Sequence, residues 1–220
     1  MTARQVALTI LFKTEHHNGY LNLVFMETVQ KYDVSSLDAA FLKELVFGVY
    51  RNKLLLDHVI RQHSSLRLKK LEPKVLHILR MGVYQLLFMD KIPPHAAVSE
   101  SVTLAKQNSR SRTAGFVNAV LRSVLRSGKI DLAPLKDDPV QYLSIRYSYP
   151  KDLVLFFVDT FGQARAESLL AAGNGTPPLC VRTNTLRTTR EKLEDALNAA
   201  GIETKKTPFT DCGLYLFGAS

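Results

Sequence analysis

Hydrophobic residues recur at helical spacing along the first 126 residues of the chain. Apolar side chains three or four positions apart place one face of each predicted helix towards a core. Positions that define these faces are Val6, Ile10, Leu21, Val24, Phe41, Leu45, Leu55, Val59, Leu76, Leu79, Val83, Ala97, Leu104, Val117, Leu121 and Val124. Because no alternating strand pattern interrupts them, we predict an all-α bundle of six or seven helices.

Capping residues and prolines predict where several helices begin. Thr2 can cap the first helix, and Ser35 with Asp38 resembles a capping box for a later one. Pro73 suits the first turn of a helix, where the missing N–H leaves no hydrogen bond unmade.

The pattern changes after residue 130. The segment 131–149 carries Pro134, Pro139 and an acidic pair, and Pro150 follows it, so we predict a linker there. Two helices follow, and then a strand, a helix and two more strands. Residues that mark the last four elements are 179–182 for the first strand, Leu193 and Leu197 for the helix, and 202–206 and 214–217 for the other strands.

Together these patterns predict a mainly α chain. The domains are an all-α bundle over 1–130, the linker over 131–149, and a partial α+β domain of β-α-β-β order over 150–220. Within the last domain, Thr188 and Glu191 are spaced as a capping box for its helix.

Basic residues are in excess, mainly in the front part of the chain. The net charge is 29 − 20 = +9. Residues 1–140 hold 20 basic and 12 acidic side chains (+8), and residues 141–220 hold 9 and 8 (+1). Such asymmetry favours a polyanionic partner, although a basic surface can also serve solubility alone.

A cluster without acidic residues lies between positions 101 and 130. Asn118, Arg122 and Arg126 are four apart and therefore share a helix face. Cations near a helix C-terminus gain about 0.3–1 kcal/mol from the helix dipole, which could account for one arginine without a ligand. We expect the cluster to contact phosphates. Its members are Lys106, Arg110, Arg112, Arg122, Arg126 and Lys129, and a second basic cluster is Arg67, Lys69, Lys70 and Lys74.

Cysteine and histidine spacing predicts no metal site. Cys180, on a predicted buried strand, and Cys212, in a predicted turn, form no Cys-x-x-Cys pair and are expected to be free thiols. The six histidines show no metal-binding spacing. No apolar run approaches the roughly 18 residues of a membrane span, and no signal-peptide pattern opens the chain, so a cytoplasmic protein without membrane contact is expected.

Four motifs in the front part resemble NusB-type domains. That resemblance implies an all-α, RNA-binding fold used in transcription antitermination and at the front of ribosomal-RNA methyltransferases. It also implies that Arg4, in the first helical turn, contacts RNA. The motifs are DAAFLKELVFGV at 38–49, ILRMGVYQLL at 78–87, IPPHAAVSE at 92–100 and GFVNAVLR at 115–122.

Three motifs in the second part resemble the segment that precedes the catalytic domain in RsmB/Sun-like 16S rRNA (cytosine-5) methyltransferases. The resemblance implies the RNA-recognition region of such an enzyme, with 16S rRNA as its partner and a methyltransferase domain outside this chain. These motifs are YSYP at 147–150, FGQA at 161–164 and PPLCVRTN at 177–184.

The resemblance implies that the intact enzyme uses S-adenosylmethionine, a cysteine nucleophile and a second cysteine that helps release the enzyme, the two cysteines lying in Pro-Cys and Thr-Cys contexts. Cys180 follows Leu179 and Cys212 follows Asp211, so neither context matches. We therefore expect no catalytic, cofactor-binding or metal-binding residue in this chain. Two alternatives stay open: a stand-alone, non-catalytic NusB-like RNA-binding protein in antitermination or ribosome assembly, and a protein–protein adaptor.

Overall fold

Seven α-helices form the first part of the chain among its described residues, in agreement with the sequence pattern. The structure is a computed structural model that describes residues 1–17, 19–109 and 111–218, with the backbone alone at 36, 37, 111 and 112. The helices of this part are α1 (Ala3–His16), α2 (Leu21–Lys31), α3 (Ser36–Arg51), α4 (Lys53–His63), α5 (Pro73–Phe88), α6 (Pro94–Asn108) and α7 (Ser111–Ser127).

Local sequence explains where α1, α3 and α5 begin. The Thr2 hydroxyl accepts a hydrogen bond from the Gln5 N–H, and the Gln5 side chain accepts one from the Thr2 N–H, which makes a capping box. The Ser35 hydroxyl accepts from the Asp38 N–H at 3.2 Å. Pro73 occupies the first turn of α5 as predicted.

Helix α5 lies at the centre of the bundle and contacts α1, α3, α4, α6 and α7. Ile78, Leu79 and Val83 of α5 are fully buried, and so is Leu121 of α7. Burying a large aliphatic side chain stabilises a fold by about 1.5–3 kcal/mol. The packing of α6 and α7 against this central helix therefore fixes the groove between them.

The segment 131–149, predicted as a linker, contains a helix, α8 (Pro139–Tyr147). The Asp138 carboxylate caps it by accepting from the Gln141 N–H at 2.9 Å, and Pro139 occupies the first turn. An Asp-Pro pair can begin either a helix or a turn. The local sequence therefore did not distinguish a helix from a linker in this segment.

Two further helices complete this part, α9 (Lys151–Phe161) and α10 (Gln163–Gly173). Leu143 of α8, Val154 of α9 and Leu170 of α10 form a second, smaller core. Ser148, which follows α8, accepts a hydrogen bond from the Leu55 N–H of α4 at 3.1 Å. The three helices are thereby joined to the first seven.

The last part is a three-stranded antiparallel sheet with one helix. The strands occur in the order β1-β3-β2, and β3 pairs with both neighbours. This matches the predicted β-α-β-β order. The elements are β1 (Leu179–Arg182), α11 (Arg190–Ala199), β2 (Glu203–Lys206) and β3 (Gly213–Phe217).

Two details of this part differ from the sequence-based predictions. The cap of α11 is Thr189, whose hydroxyl accepts from the Lys192 N–H at 3.3 Å, and not Thr188. Cys180 is exposed on β1, an edge strand, and not buried. Both differences arise because hydrophobic periodicity predicts that a helix or strand exists more reliably than it predicts the residue at which the helix begins or the elements that pack against the strand.

The chain divides into two compact units, Met1–Asn174 and Gly175–Ser220. The domain limits expected at 130 and 150 stay predictions. Among the residues that the structure describes, no helix combines the length and apolarity needed to cross a membrane.

Candidate nucleic-acid interface

Helix α7 has one buried face and one basic face. Val117, Val120, Leu121 and Val124 point into the bundle and are at most 2% exposed. The positions four apart on the other side, 118, 122 and 126, line a groove against α6. The sequence spacing therefore placed Arg122 and Arg126 correctly on one face, because side chains at i and i+4 project from the same side of a helix.

The groove between α6 and α7 has a volume of about 740 Å³. Its polar rim comes from both helices. On the α6 side the residues His95, Ser99 and Thr103 are four apart, so they follow one helix face. Its described lining is His95, Val98, Ser99, Val102, Thr103, Lys106, Ala114, Gly115, Asn118, Arg122, Leu125 and Arg126.

The charge of this groove is uniformly positive among the residues that the structure describes, since its lining contains no Asp or Glu. Lys106, Arg122 and Arg126 are exposed, and none of them forms an ion pair with a described carboxylate. The Arg122 Nε donates to the Asn118 Oδ1 at 3.1 Å, which holds the arginine along the groove. The remaining guanidinium N–H groups can bind an anion.

Arg4 is half-buried and is not among the residues that line this groove. Its Nε donates to the Gln85 Oε1 at 2.8 Å, and its guanidinium lies 5.0 Å from the centroid of the Phe41 ring. Burial lowers the pKa of Arg4, an effect that the charge of Glu100 partly offsets. Arg4 therefore packs helix α1 onto α3 and α5, and its part in RNA binding stays a prediction.

Of the other predicted RNA-binding residues, Lys129 is the one whose side chain the structure describes. Lys129 is exposed after the end of α7 and is not among the lining residues. Arg110 and the side chain of Arg112 lie outside the described residues. Their expected phosphate contacts stay predictions.

A second cleft, which the sequence analysis did not single out, lies beside α1. Its volume is about 470 Å³, and Lys13, His17 and Lys74 line it together with Phe12. The Lys74 ammonium lies 5.6 Å from the centroid of the Phe12 ring. The spacing of Gln5, Thr9 and Lys13 along α1 could have predicted the α1 side of this cleft.

The structure brings together no catalytic or metal-binding constellation in the part of the chain that it describes. Cys180 and Cys212 are free thiols, and no group of three His, Cys, Asp or Glu side chains is placed to hold a metal. His77 is buried and His58 is half-buried, each within a helix as expected.

Fold and site together define a helical NusB-type domain that is followed by a small α+β domain. Residues 1–126 match the model of the NusB family, and residues 149–220 match the model described as Methyltr_RsmF/B-like, ferredoxin-like domain. The chain belongs to the NusB family, and it carries an RsmF/B-type ferredoxin-like domain after the helical one. The resemblance inferred from the sequence motifs is confirmed.

Curated relatives with the same arrangement are ribosomal-RNA methyltransferases by name. The chain is 33% identical over 205 residues to the probable ribosomal RNA small subunit methyltransferase B of Bacillus subtilis, covering 93% of this chain and 45% of the relative. It is 33% identical over 218 residues to the protein of the same name in Synechocystis, covering 99% and 49%. The chain thus spans about half the length of the curated relatives that it matches.

Solved structures share the fold. The crystal structure of PH0851 superposes with a TM-score of 0.67 at 16% identity, over 100% of this chain and 49% of that chain. The crystal structure of antitermination factors NusB and NusE in complex with dsRNA has a TM-score of 0.53 at 26% identity, over 57% of this chain and 95% of that one. The predicted fold, a NusB-like bundle followed by a small α+β domain, is confirmed.

Proposed function

We propose that this chain is the RNA-recognition region of an S-adenosylmethionine-dependent 16S rRNA (cytosine-5) methyltransferase that acts in the bacterial cytoplasm. The observation that carries the proposal is the α6–α7 groove, whose described lining is basic and lacks acidic residues. The names of the relatives support rRNA as the substrate class, and the complex of NusB and NusE with dsRNA supports RNA as the ligand of such a helical domain.

In this proposal, RNA phosphates bind to Lys106, Arg122 and Arg126. Hydrogen bonds from a charged guanidinium to phosphate are short and about twice as strong as those between neutral groups. Phosphate contacts orient an RNA without specifying its sequence. The groove would therefore position the rRNA, and the choice of the target cytosine would depend on other parts of the enzyme.

The described residues do not fit S-adenosylmethionine. A cofactor cradle of this kind needs a glycine-rich turn between a strand and a helix of a parallel sheet. Here Gly173 is the last residue of α10, and the sheet is antiparallel with three strands. We therefore assign RNA positioning to this chain and derive no methyl-transfer step from its residues.

The stand-alone NusB-like alternative is less well supported than the methyltransferase proposal. A NusB-type protein alone would account for the match over residues 1–126 only. The ferredoxin-like match over residues 149–220 and the relatives aligned along 93–99% of this chain favour an rRNA methyltransferase.

The test is a titration of a fluorescein-labelled 16S rRNA fragment with the chain at several salt concentrations. If three phosphates are neutralised, the logarithm of the affinity should fall with the logarithm of salt with a slope of about −2 for single-stranded RNA. The double variant Arg122→Glu/Arg126→Glu should weaken binding at least about tenfold, while the melting temperature falls by only about 2–4 °C, because the lost helix-dipole interaction is worth about 1 kcal/mol or less.

A matched control separates the groove from general electrostatics. Arg61 and Lys43 are exposed on α4 and α3, outside the groove lining. The variant Lys43→Glu/Arg61→Glu changes the net charge by the same amount and should retain most of the affinity. Equal losses in both double variants, or no loss in the groove variant, would contradict the assignment.

A further inference from the structure

The α6–α7 groove has an apolar floor that contact with phosphates alone does not require. We use the word floor for the apolar side chains of its lining, which are Val98, Val102, Ala114 and Leu125. Leu125 is 40% exposed, although it belongs to the same helix as the buried valines of α7. A rim of cations above an apolar floor suits a ligand that has both a phosphate group and a flat apolar face.

Gly115 lies on this floor, within the interior of α7. A Cβ built at Gly115 meets no atom of the described chain within 4 Å. Since glycine weakens a helix interior relative to alanine, packing within the described bundle gives no reason for glycine here. Among the described side chains, none covers the backbone of α7 at this position, so a ligand could lie flat against it.

Polar groups stand at the edge of the same floor. Ser99 and Thr103 on α6, and Asn118 on α7, line the groove and carry hydrogen-bond donors and acceptors. A volume of about 740 Å³ lies within the range of roughly 300–1,000 Å³ that ligand sites in proteins occupy. The open groove is therefore large enough to hold a planar ring and can offer hydrogen bonds to the edge of that ring.

We propose that the groove binds an unpaired nucleotide of single-stranded RNA, with its base over Gly115 and its flanking phosphates on Lys106, Arg122 and Arg126. This inference rests on the proposed function and specifies the form of RNA that the site takes. A base in a duplex is stacked and paired, so duplex RNA would offer only its sugar–phosphate surface and minor-groove edges to the rim. The apolar floor would then stay uncovered.

The test compares two probes: a fluorescein-labelled single-stranded RNA of mixed sequence, and the same strand annealed to its complement. The variant Gly115→Leu fills the floor with a side chain at an exposed position and should not disturb the fold. Loss of one base contact should lower the affinity for the single strand about tenfold. The affinity for the duplex should stay the same.

The control is Ala40→Leu, which adds a side chain of the same kind at an exposed position of α3, a helix that contributes no residue to the groove lining. It should bind both probes as the wild type does. Equal affinities of Gly115→Leu and the wild type for the single strand, or equal losses for both probes, would overturn the unpaired-nucleotide site while leaving RNA binding by the rim intact. If neither probe responds to Arg122→Glu/Arg126→Glu, the proposed function itself fails.

Discussion

Arg80 of α5 forms a two-point ion pair with Asp57 of α4 in the interior of the bundle. The Arg80 Nε lies 2.7 Å from the Asp57 Oδ1, and the Nη2 lies 2.9 Å from the Oδ2. The Nη1 donates to the Glu15 Oε2 of α1 at 2.8 Å. Burial alone would lower the pKa of Arg80, but the hydrogen bonds and charges of Asp57 and Glu15 outweigh it and raise the pKa. Three helices are thereby joined through one guanidinium.

We expect Arg80→Ala to destabilise the bundle strongly. Removing one partner of a buried ion pair leaves the other charge unpaired and costs about 3–5 kcal/mol. The free energy of unfolding in urea would measure the loss. The control is Lys53→Ala, because the Lys53–Glu15 ion pair is partly exposed and such pairs contribute about 1 kcal/mol or less. Similar losses of unfolding free energy in Arg80→Ala and Lys53→Ala would contradict the stronger contribution assigned to the buried Arg80–Asp57 pair.

Stability should depend on pH through His77, which is buried beside the same network. Burial, and then the charge of Arg80, lower the pKa of His77 from 6.5 to about 4, although Glu15 acts in the opposite direction. Between these pH values the unfolded chain binds more protons than the folded chain. The free energy of unfolding should therefore fall as the pH falls from 6.5 to 4, by up to about 3 kcal/mol.

The variant His77→Gln tests the source of this pH dependence. A neutral amide cannot take up the proton, so the slope between pH 6.5 and 4 should become flatter in urea titrations. His95 is exposed and lies away from the network, so His95→Gln should keep the slope of the wild type. An unchanged slope in His77→Gln would assign the effect to other groups, such as Glu15, whose pKa is also lowered.

Gly115→Ala should stabilise the protein. The added Cβ meets open space in the described structure, and alanine is favoured over glycine in a helix interior by about 0.5–1 kcal/mol. At Gly48, by contrast, a Cβ would collide with the ring of Tyr84, so Gly48→Ala should destabilise by about 1–3 kcal/mol. Thermal unfolding would show a higher melting temperature for Gly115→Ala and a lower one for Gly48→Ala. A lower melting temperature for Gly115→Ala would show that the space beside Gly115 is filled.

Thr189→Ala should weaken the start of α11, whereas Thr188→Ala should not. The Thr189 hydroxyl accepts a hydrogen bond from the Lys192 N–H, and the loss of an N-cap costs about 1 kcal/mol. Amide hydrogen exchange at Lys192 should become about fivefold faster in Thr189→Ala. Faster exchange in Thr188→Ala instead would favour the cap that the sequence spacing predicted.

The sequence by itself determined the helices of the NusB-type part, their faces and the family. Helix positions follow from i, i+3 and i+4 contacts within one segment, and caps such as Thr2 act over three residues, so both are encoded locally. The shared face of Arg122 and Arg126 follows from the same geometry. The NusB-type and RsmB/Sun-like motifs were likewise visible in the chain, and the family models match the same regions.

Only the tertiary structure decided which faces meet. Arg80 and Glu15 are 65 positions apart, and Arg4 and Gln85 are 81 apart, so no local pattern predicts either pair. Arg4 packs against Gln85 and Phe41 and is not part of the groove lining, and the α6 wall opposite Arg122 arises because both helices pack on α5. Helix periodicity shows that a face is buried, but the partner of that face depends on the path of the whole chain.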